Sequence, residues 1–290
     1  MDEHEALSMV AADLPAAGDD AAVVGEQVLT TDMLHETTDF PAGVTRRTAG
    51  WRAVGASLSD LAAMGAEAVA AVAVYGAPAF DETELDGFLR GARGVCDSVG
   101  AEYVGGDLDE TGEFTVATTA LGRTDDPLRR TGLGVGDAVC VTGALGRTAA
   151  ALKLFAAGET DRGNELFRFP PRVAAGGVLA PYATSGMDVS DGLARSLHQL
   201  AADNDCGFEI DGDSVPIHPA VEQTTPAGDR LAAATTVGED FELLVAIPPE
   251  RVADARADSP VELTRIGTVT ETGVRMDSEP LADDGWRHGE

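Results

Sequence analysis

Acidic residues that follow glycine or stand in Ser/Thr-Asp pairs recur at six places along this chain: GDDAAV (18–23), TTDML (30–34), LSDLAAMGA (58–66), VGGD (104–107), DVSDGLA (188–194) and GEDFELL (238–244). Most fall where an apolar strand is expected to end or a helix to begin. Acids placed that way can converge on one cleft, and hard oxygen ligands grouped there suit magnesium rather than zinc. Magnesium bridges phosphate oxygens during transfer, so the pattern points to chemistry on phosphates. Glycine beside the acid lets the main chain turn sharply and approach a ligand.

Acidity alone singles out none of these residues. The 290-residue chain carries 50 Asp and Glu against 20 Lys and Arg, a formal net charge of -30, and in such a chain most aspartates are solvated surface groups. The neighbours make the difference. Asp32 comes shortly after Val28-Leu29, Asp60 precedes Leu61-Ala62-Ala63-Met64, and Asp188 lies between Met187 and Val189. The charge itself repels nucleic acid and anionic membranes. With 44% hydrophobic residues the chain reads as a folded protein with a salt-adapted surface, fitting a halophilic archaeon, rather than as a disordered acidic one. Residues 1–5 lack the basic start and apolar centre of a signal peptide, and no apolar run reaches membrane-spanning length, so a cytoplasmic protein is expected. Cys96, Cys140 and Cys206 are far apart and have neither metal-ligand spacing nor a disulfide framework.

The elements that must position the acids follow from periodicity. Residues 27–31 read as a strand ending at Asp32, 45–63 as a helix carrying Ser59 and Asp60 in apolar company, and 68–75 as a buried strand. Residues 82–99 show helical spacing, 102–104 a short strand from which Gly105-Gly106 lead to Asp107, and 113–121 an alternating strand. The Gly-, Pro-, Asp- and Arg-rich stretch 124–136 marks a boundary, giving domains 1–125 and 126–290. Strands at 138–142, 187–189, 242–247 and 265–269 then alternate with helices at 148–157, 172–179, 192–202 and 249–257, with Ser190 as N-cap of the third. Two related α/β domains are the expectation.

Several phosphate-handling devices are excluded. Lys153 is the only lysine and sits outside any Gly-Lys-Ser/Thr motif, which removes the P-loop and protein-kinase architectures. No H-E-x-x-H zinc site and no G-x-S-x-G elbow occur. Phosphates are left to backbone N–H groups, arginine and bound cations.

Taken in order, GDDAAV, TTDML, LSDLAAMGA, GGD, LRRTG (128–132), DVSDGLA and GEDFELL resemble the thiamine-monophosphate kinase family, within the superfamily of aminoimidazole ribonucleotide synthetase, across nearly the whole chain. The resemblance implies an α/β (α+β) two-domain aminoimidazole ribonucleotide synthetase-like fold, and a homodimer whose N-terminal domains pair strands into a shared barrel. It implies ATP-dependent phosphorylation of thiamine monophosphate to thiamine diphosphate with several Mg2+ ions. Carried over by position, Asp20, Thr30, Thr31, Asp32, Asp60, Asp107, Asp188 and Asp191 would hold magnesium, with Asp32, Asp107 and Asp188 assisting transfer. Gly106, Asp107, Arg130 and Ser190 would contact ATP, and Asp39, Glu239 and Trp286 the thiamine portion; Asp19 matches the first motif without a defined ligand role. The chain departs from the family pattern at Asp39, where histidine is usual, and at Ser57, where asparagine is common. A carboxylate at position 39 still suits a cationic thiazolium, and Trp286 offers that cation a π face. Two other readings remain: a sibling enzyme of the superfamily, and a non-catalytic nucleotide-binding dimer that regulates a partner.

Overall fold

A computed structural model of the chain describes Leu14 and residues 18–285. Its first part runs β1 (Ala22–Val24), β2 (Gln27–His35), a one-turn α1 (Glu36–Asp39), α2 (Arg46–Ala63), β3 (Glu67–Ala77), α3 (Glu82–Val99), β4 (Glu102–Glu110) and β5 (Thr115–Arg123). These strands form an open five-stranded sheet in the order β1-β2-β5-β3-β4. The rest runs β6 (Ala138–Thr142), α4 (Arg147–Ala156), α5 (Thr160–Phe167), α6 (Val173–Leu179), β7 (Ser185–Asp188), α7 (Leu193–Asn204), β8 (Gly207–Ile210), α8 (Pro219–Thr224), α9 (Arg230–Thr236), β9 (Leu243–Ile247), α10 (Val252–Asp258), β10 (Leu263–Thr270), β11 (Gly273–Met276) and β12 (Glu279–Pro280). Its strands form a mixed seven-stranded sheet, β12-β11-β8-β10-β6-β9-β7. No helix among the described residues is long and apolar enough to cross a membrane.

Helix α2 is the element on which the two sheets meet. It is small and apolar on nearly every side, as a helix must be when it is buried all round. It packs against β2, β5 and α3 on one side and against α6 and β7 on the other. Thr45 caps it, its side chain accepting from the Thr48 N–H. Glycines allow the close approach of its neighbours: a Cβ on Gly91 of α3 would lie 2.0 Å from the Arg47 carbonyl oxygen, and one on Gly176 of α6 would lie 2.0 Å from that of Ala62. Four of the polar side chains along the helix, Arg52, Ser57, Ser59 and Asp60, hydrogen-bond to other protein groups.

Three expectations need correction. Strand β2 does not end at Asp32; it pairs with β5 from Gln27 to His35, so the acid sits mid-strand. Strand β4 likewise continues through Gly105, Gly106 and Asp107. Gly106, at φ +155°, makes contact rather than a turn, since a Cβ there would fall 1.7 Å from the Ala73 carbonyl oxygen of β3. Ser190 is not the N-cap of α7; Gly192, at φ +101°, takes that place without a side-chain cap.

The close helix contact yields a test. Gly91→Ala should lower the unfolding free energy by about 1–3 kcal/mol, the usual range for overpacking. Gly94→Ala on the same helix meets only the Trp51 ring edge at 3.4 Å and should be neutral or stabilising. Denaturant titration of both variants at fixed high salt checks this.

Candidate active site

Asp20, in the loop before β1, Asp60 on α2 and Asp188 at the end of β7 each present a carboxylate oxygen, and the three oxygens lie within 4.8 Å of one another. Each acid has its own support. Thr30 Oγ1 donates to Asp60 Oδ2 at 2.5 Å, Ser59 Oγ donates to Asp188 Oδ2 at 2.6 Å, and Arg130 Nη2 donates to Asp20 Oδ1 at 2.8 Å. Asp32 stands beside them on β2, where Ser57 Oγ donates to its Oδ2 at 2.6 Å. Asp19 is turned to the arginines, accepting from Arg129 Nη1 at 2.7 Å and from the Arg130 N–H at 2.9 Å.

The cluster is electrostatically costly. Burial, reinforced by Asp32, Asp188 and Asp20, holds Asp60 well above the usual carboxylate range, against the pull of the Thr30 hydroxyl. Burial and then Asp20 push Asp188 up to about 7, opposed by the Ser59 hydrogen bond and Arg130. Asp20 is the strongest influence on Arg130 and pushes its guanidinium above the ordinary value. The donor set fits a hard divalent cation: all its ligands are oxygens, and buried Asp20 Oδ2 has no hydrogen-bond partner among the described residues. A bound cation is the group that would remove the mutual repulsion of these carboxylates.

Other expected residues fall elsewhere. Thr31 Oγ1 donates to the Thr118 carbonyl on the sheet, and Thr31 alternates with Thr30 and Asp32, so any part in the cluster belongs to its main chain. Asp107 is three strands from Asp32, roughly 14 Å at ordinary strand spacing. The pairing register also separates their faces. Asp32, Thr118, Ala73 and Gly106 form one row across the sheet, and Met33, Ala117, Val74 and Asp107 form the next. Asp191 follows Ser190 in the loop before α7 and accepts from Gln199 Nε2 at 3.2 Å. Trp286 lies outside the described residues.

Two openings adjoin these groups. A groove of about 310 Å³ between α3 and β4 is lined by Tyr75, Phe88, Arg93, Tyr103, Gly106 and Asp107. A cavity of about 140 Å³ is walled by Thr38, Asp39, Phe40, Thr148, Phe167 and Glu239. Asp39 Oδ2 accepts from the His35 N–H and the Thr38 hydroxyl, both at 2.7 Å. Of the three acids in GEDFE only Glu239 lines that cavity. Asp240 caps α4, accepting from Gly146 N at 2.5 Å and Thr148 N at 2.8 Å, with burial pushing it up to about 7. Glu242 takes a bidentate pair from Arg172, at 2.5 and 2.6 Å. The supporting hydroxyl of Ser59 and the guanidinium of Arg52 were not singled out from sequence as site residues. Their signal was a polar group inside an apolar helix.

The AIR synthase related protein N-terminal domain model matches residues 18–124 of this chain, and the corresponding C-terminal domain model matches residues 134–277. A thiamine-monophosphate kinase of Halobacterium salinarum is 59% identical over 290 residues, spanning 99% of this chain and 100% of its own length. One from Methanospirillum hungatei is 38% identical over 301 residues, spanning 99% of each. The solved complex of AaThiL with AMPPCP and TMP superposes with a TM-score of 0.91 at 26% identity, covering 99% of this chain and 97% of that one. The thiamine-monophosphate kinase structure from Stenotrophomonas maltophilia gives 0.82 at 30% identity, covering 95% of each.

The raised carboxyls set a pH dependence. A carboxyl whose folded pKa exceeds its unfolded value near 4 favours folding most below that value. That advantage is lost as pH rises through the folded value, about 7 for Asp188. Without divalent cations the Tm should therefore fall between about pH 5 and 8. Millimolar Mg2+ should restore most of the loss at pH 8 in the wild type and much less in Asp188→Asn. Thermal melts at constant ionic strength, with and without chelator, check both statements.

Proposed function

This chain belongs to the thiamine-monophosphate kinases of the AIR synthase related family, and we propose that it joins ATP and thiamine monophosphate by direct in-line phosphoryl transfer at the acidic cluster. The family membership makes it a kinase that forms thiamine diphosphate. The observation that carries the finer reading is the convergence of Asp20, Asp60 and Asp188 beside Asp32. These residues, with Thr30, would hold Mg2+. A cation held there would supply charge neutralisation, so that two anionic phosphates could approach.

The chain's own groups do the remaining work. The acceptor is a phosphate monoester with a second pKa near 6, so it is mostly ionised at neutral pH and needs no strong general base. Arg130, now paired with Asp20, is placed to exchange that partner for an ATP phosphate. Gly106 and the main chain around Ser190 present backbone that allows close approach. In this reading the aromatic groove beside Gly106 takes the adenine, and the cavity walled by Asp39 and Glu239 takes the thiamine rings. Two carboxylates facing that cavity suit a cationic heterocycle, so aspartate in place of histidine at position 39 keeps the cavity functional.

A homodimer belongs to the same reading. Leu29, Met33 and Val74 are 44%, 55% and 44% exposed and share the sheet face turned away from α2, an apolar face suited to a second copy. Asp107 leaves the sheet on that face. It therefore serves a site completed by the partner.

Incubation with ATP, Mg2+ and thiamine monophosphate at molar KCl should give thiamine diphosphate and ADP in equal amounts. ADP alone would favour a sibling enzyme, and neither product a regulatory nucleotide-binding dimer. Asp188→Asn should cut kcat by about 100-fold or more. Asp60→Asn and Asp107→Asn should each be nearly inactive, yet unfolding and refolding them together should restore activity, because half the sites of each heterodimer regain both acids. No recovery in confirmed heterodimers would show that Asp107 acts within its own chain.

A further inference from the structure

We propose that Arg52 is a positioning residue for the acceptor pocket: from behind the wall it fixes the Glu239 carboxylate, and so governs recognition of thiamine monophosphate rather than of ATP. The inference deepens the functional reading above and rests on it.

Arg52 is only 2% exposed and does not line the cavity. It holds two residues that do. Its Nη1 donates to the Phe167 carbonyl at 2.7 Å, its Nη2 donates to Glu239 Oε2 at 2.7 Å, and its guanidinium lies 3.6 Å from the centre of the Phe167 ring. Burial lowers the Arg52 pKa and Glu239 is the main influence raising it again. A buried cation is retained only where partners offset its desolvation, and here its charged partner is the acid at the pocket wall.

The backbone of Glu239 is held as firmly as its side chain. It sits at φ +55°, the left-handed region that a glutamate occupies at a cost. Its N–H donates to the Ser190 carbonyl at 2.5 Å and its carbonyl accepts from Thr148 Oγ1 at 2.7 Å. With the main chain pinned, the carboxylate has one remaining freedom, rotation of the side chain, and Arg52 removes it. A planar fork can serve the Phe167 carbonyl and the Glu239 carboxylate at once; a lysine ammonium keeps the charge but not that geometry. Arg52 stands eight residues before Asp60 on α2, so the helix that presents a metal-site acid also sets the pocket wall.

Steady-state kinetics of Arg52→Lys, Arg52→Gln and the double variant with Glu239→Gln test this, with the wild type as control. Arg52→Lys should raise KM for thiamine monophosphate about tenfold, the value of one lost charge-assisted hydrogen bond. KM for ATP should stay within about twofold, since uniform binding of the other substrate is untouched. Arg52→Gln should raise the acceptor KM further, and should add little to the effect of Glu239→Gln alone. If Arg52→Gln does not fold, Arg52→Lys carries the test. A purely structural arginine predicts a lower Tm with both KM values at wild type, and that result overturns the proposal. A wild type that forms no thiamine diphosphate overturns the functional reading itself, which is a different outcome.

Discussion

Carboxylates brought within 4.8 Å of one another repel, and in a buried setting that repulsion is weakly screened. Nothing in folding favours such an arrangement for its own sake. Asp20, Asp60 and Asp188 come from a loop, a helix and a strand of different sheets, and each is steadied by a hydroxyl or guanidinium from a further element. Asp188 and Asp60 stay above the ordinary carboxylate range even so. On the proposed function, the fold around the site is scaffolding for a charge pattern that becomes favourable when cations enter.

Helix α2 supplies most of that scaffolding. Arg52, Ser59 and Asp60 follow one another at i, i+7 and i+8, so they share a face. Arg52 and Asp60 are about 12 Å apart along the axis at helical rise. One rigid element thus fixes the distance between the wall of the Asp39–Glu239 cavity and the carboxylate cluster. The bond from Ser59 to Asp188 ties the first sheet's helix to the second sheet, so the geometry of the cluster and the docking of the two halves are set together.

Much of this was legible in the sequence. The helix over 82–99 and the strand over 138–142 match α3 and β6, because their periodicity and caps agree. Of the three acids with apolar neighbours, Asp60 and Asp188 join the gathered cluster and Asp32 stands beside it, while Asp20, whose neighbours gave no such signal, completes it. Strand continuity was less legible. Asp32 and the Gly105-Gly106 pair read as ends, whereas cross-strand pairing with β5 and β3 carries the strands through them. Which face a residue leaves from was hidden for the same reason: Asp32 and Asp107 look alike in sequence, and only the register across four strands puts them on opposite sides. Arg52 is not legible in the sequence because an arginine in an apolar helix has no spacing partner there; its partners, Phe167 and Glu239, are over a hundred residues away.

On the proposed function, the Asp20, Asp60 and Asp188 carboxylates hold divalent cations. Anomalous diffraction at the manganese edge, from crystals grown with Mn2+ in place of Mg2+ and a non-hydrolysable ATP analogue, tests it most directly. An anomalous peak is expected within coordination distance of oxygens from all three aspartates, with the Arg130 guanidinium released from Asp20. Manganese bound elsewhere, with no peak at the three carboxylates and the Arg130–Asp20 pair intact, would contradict it.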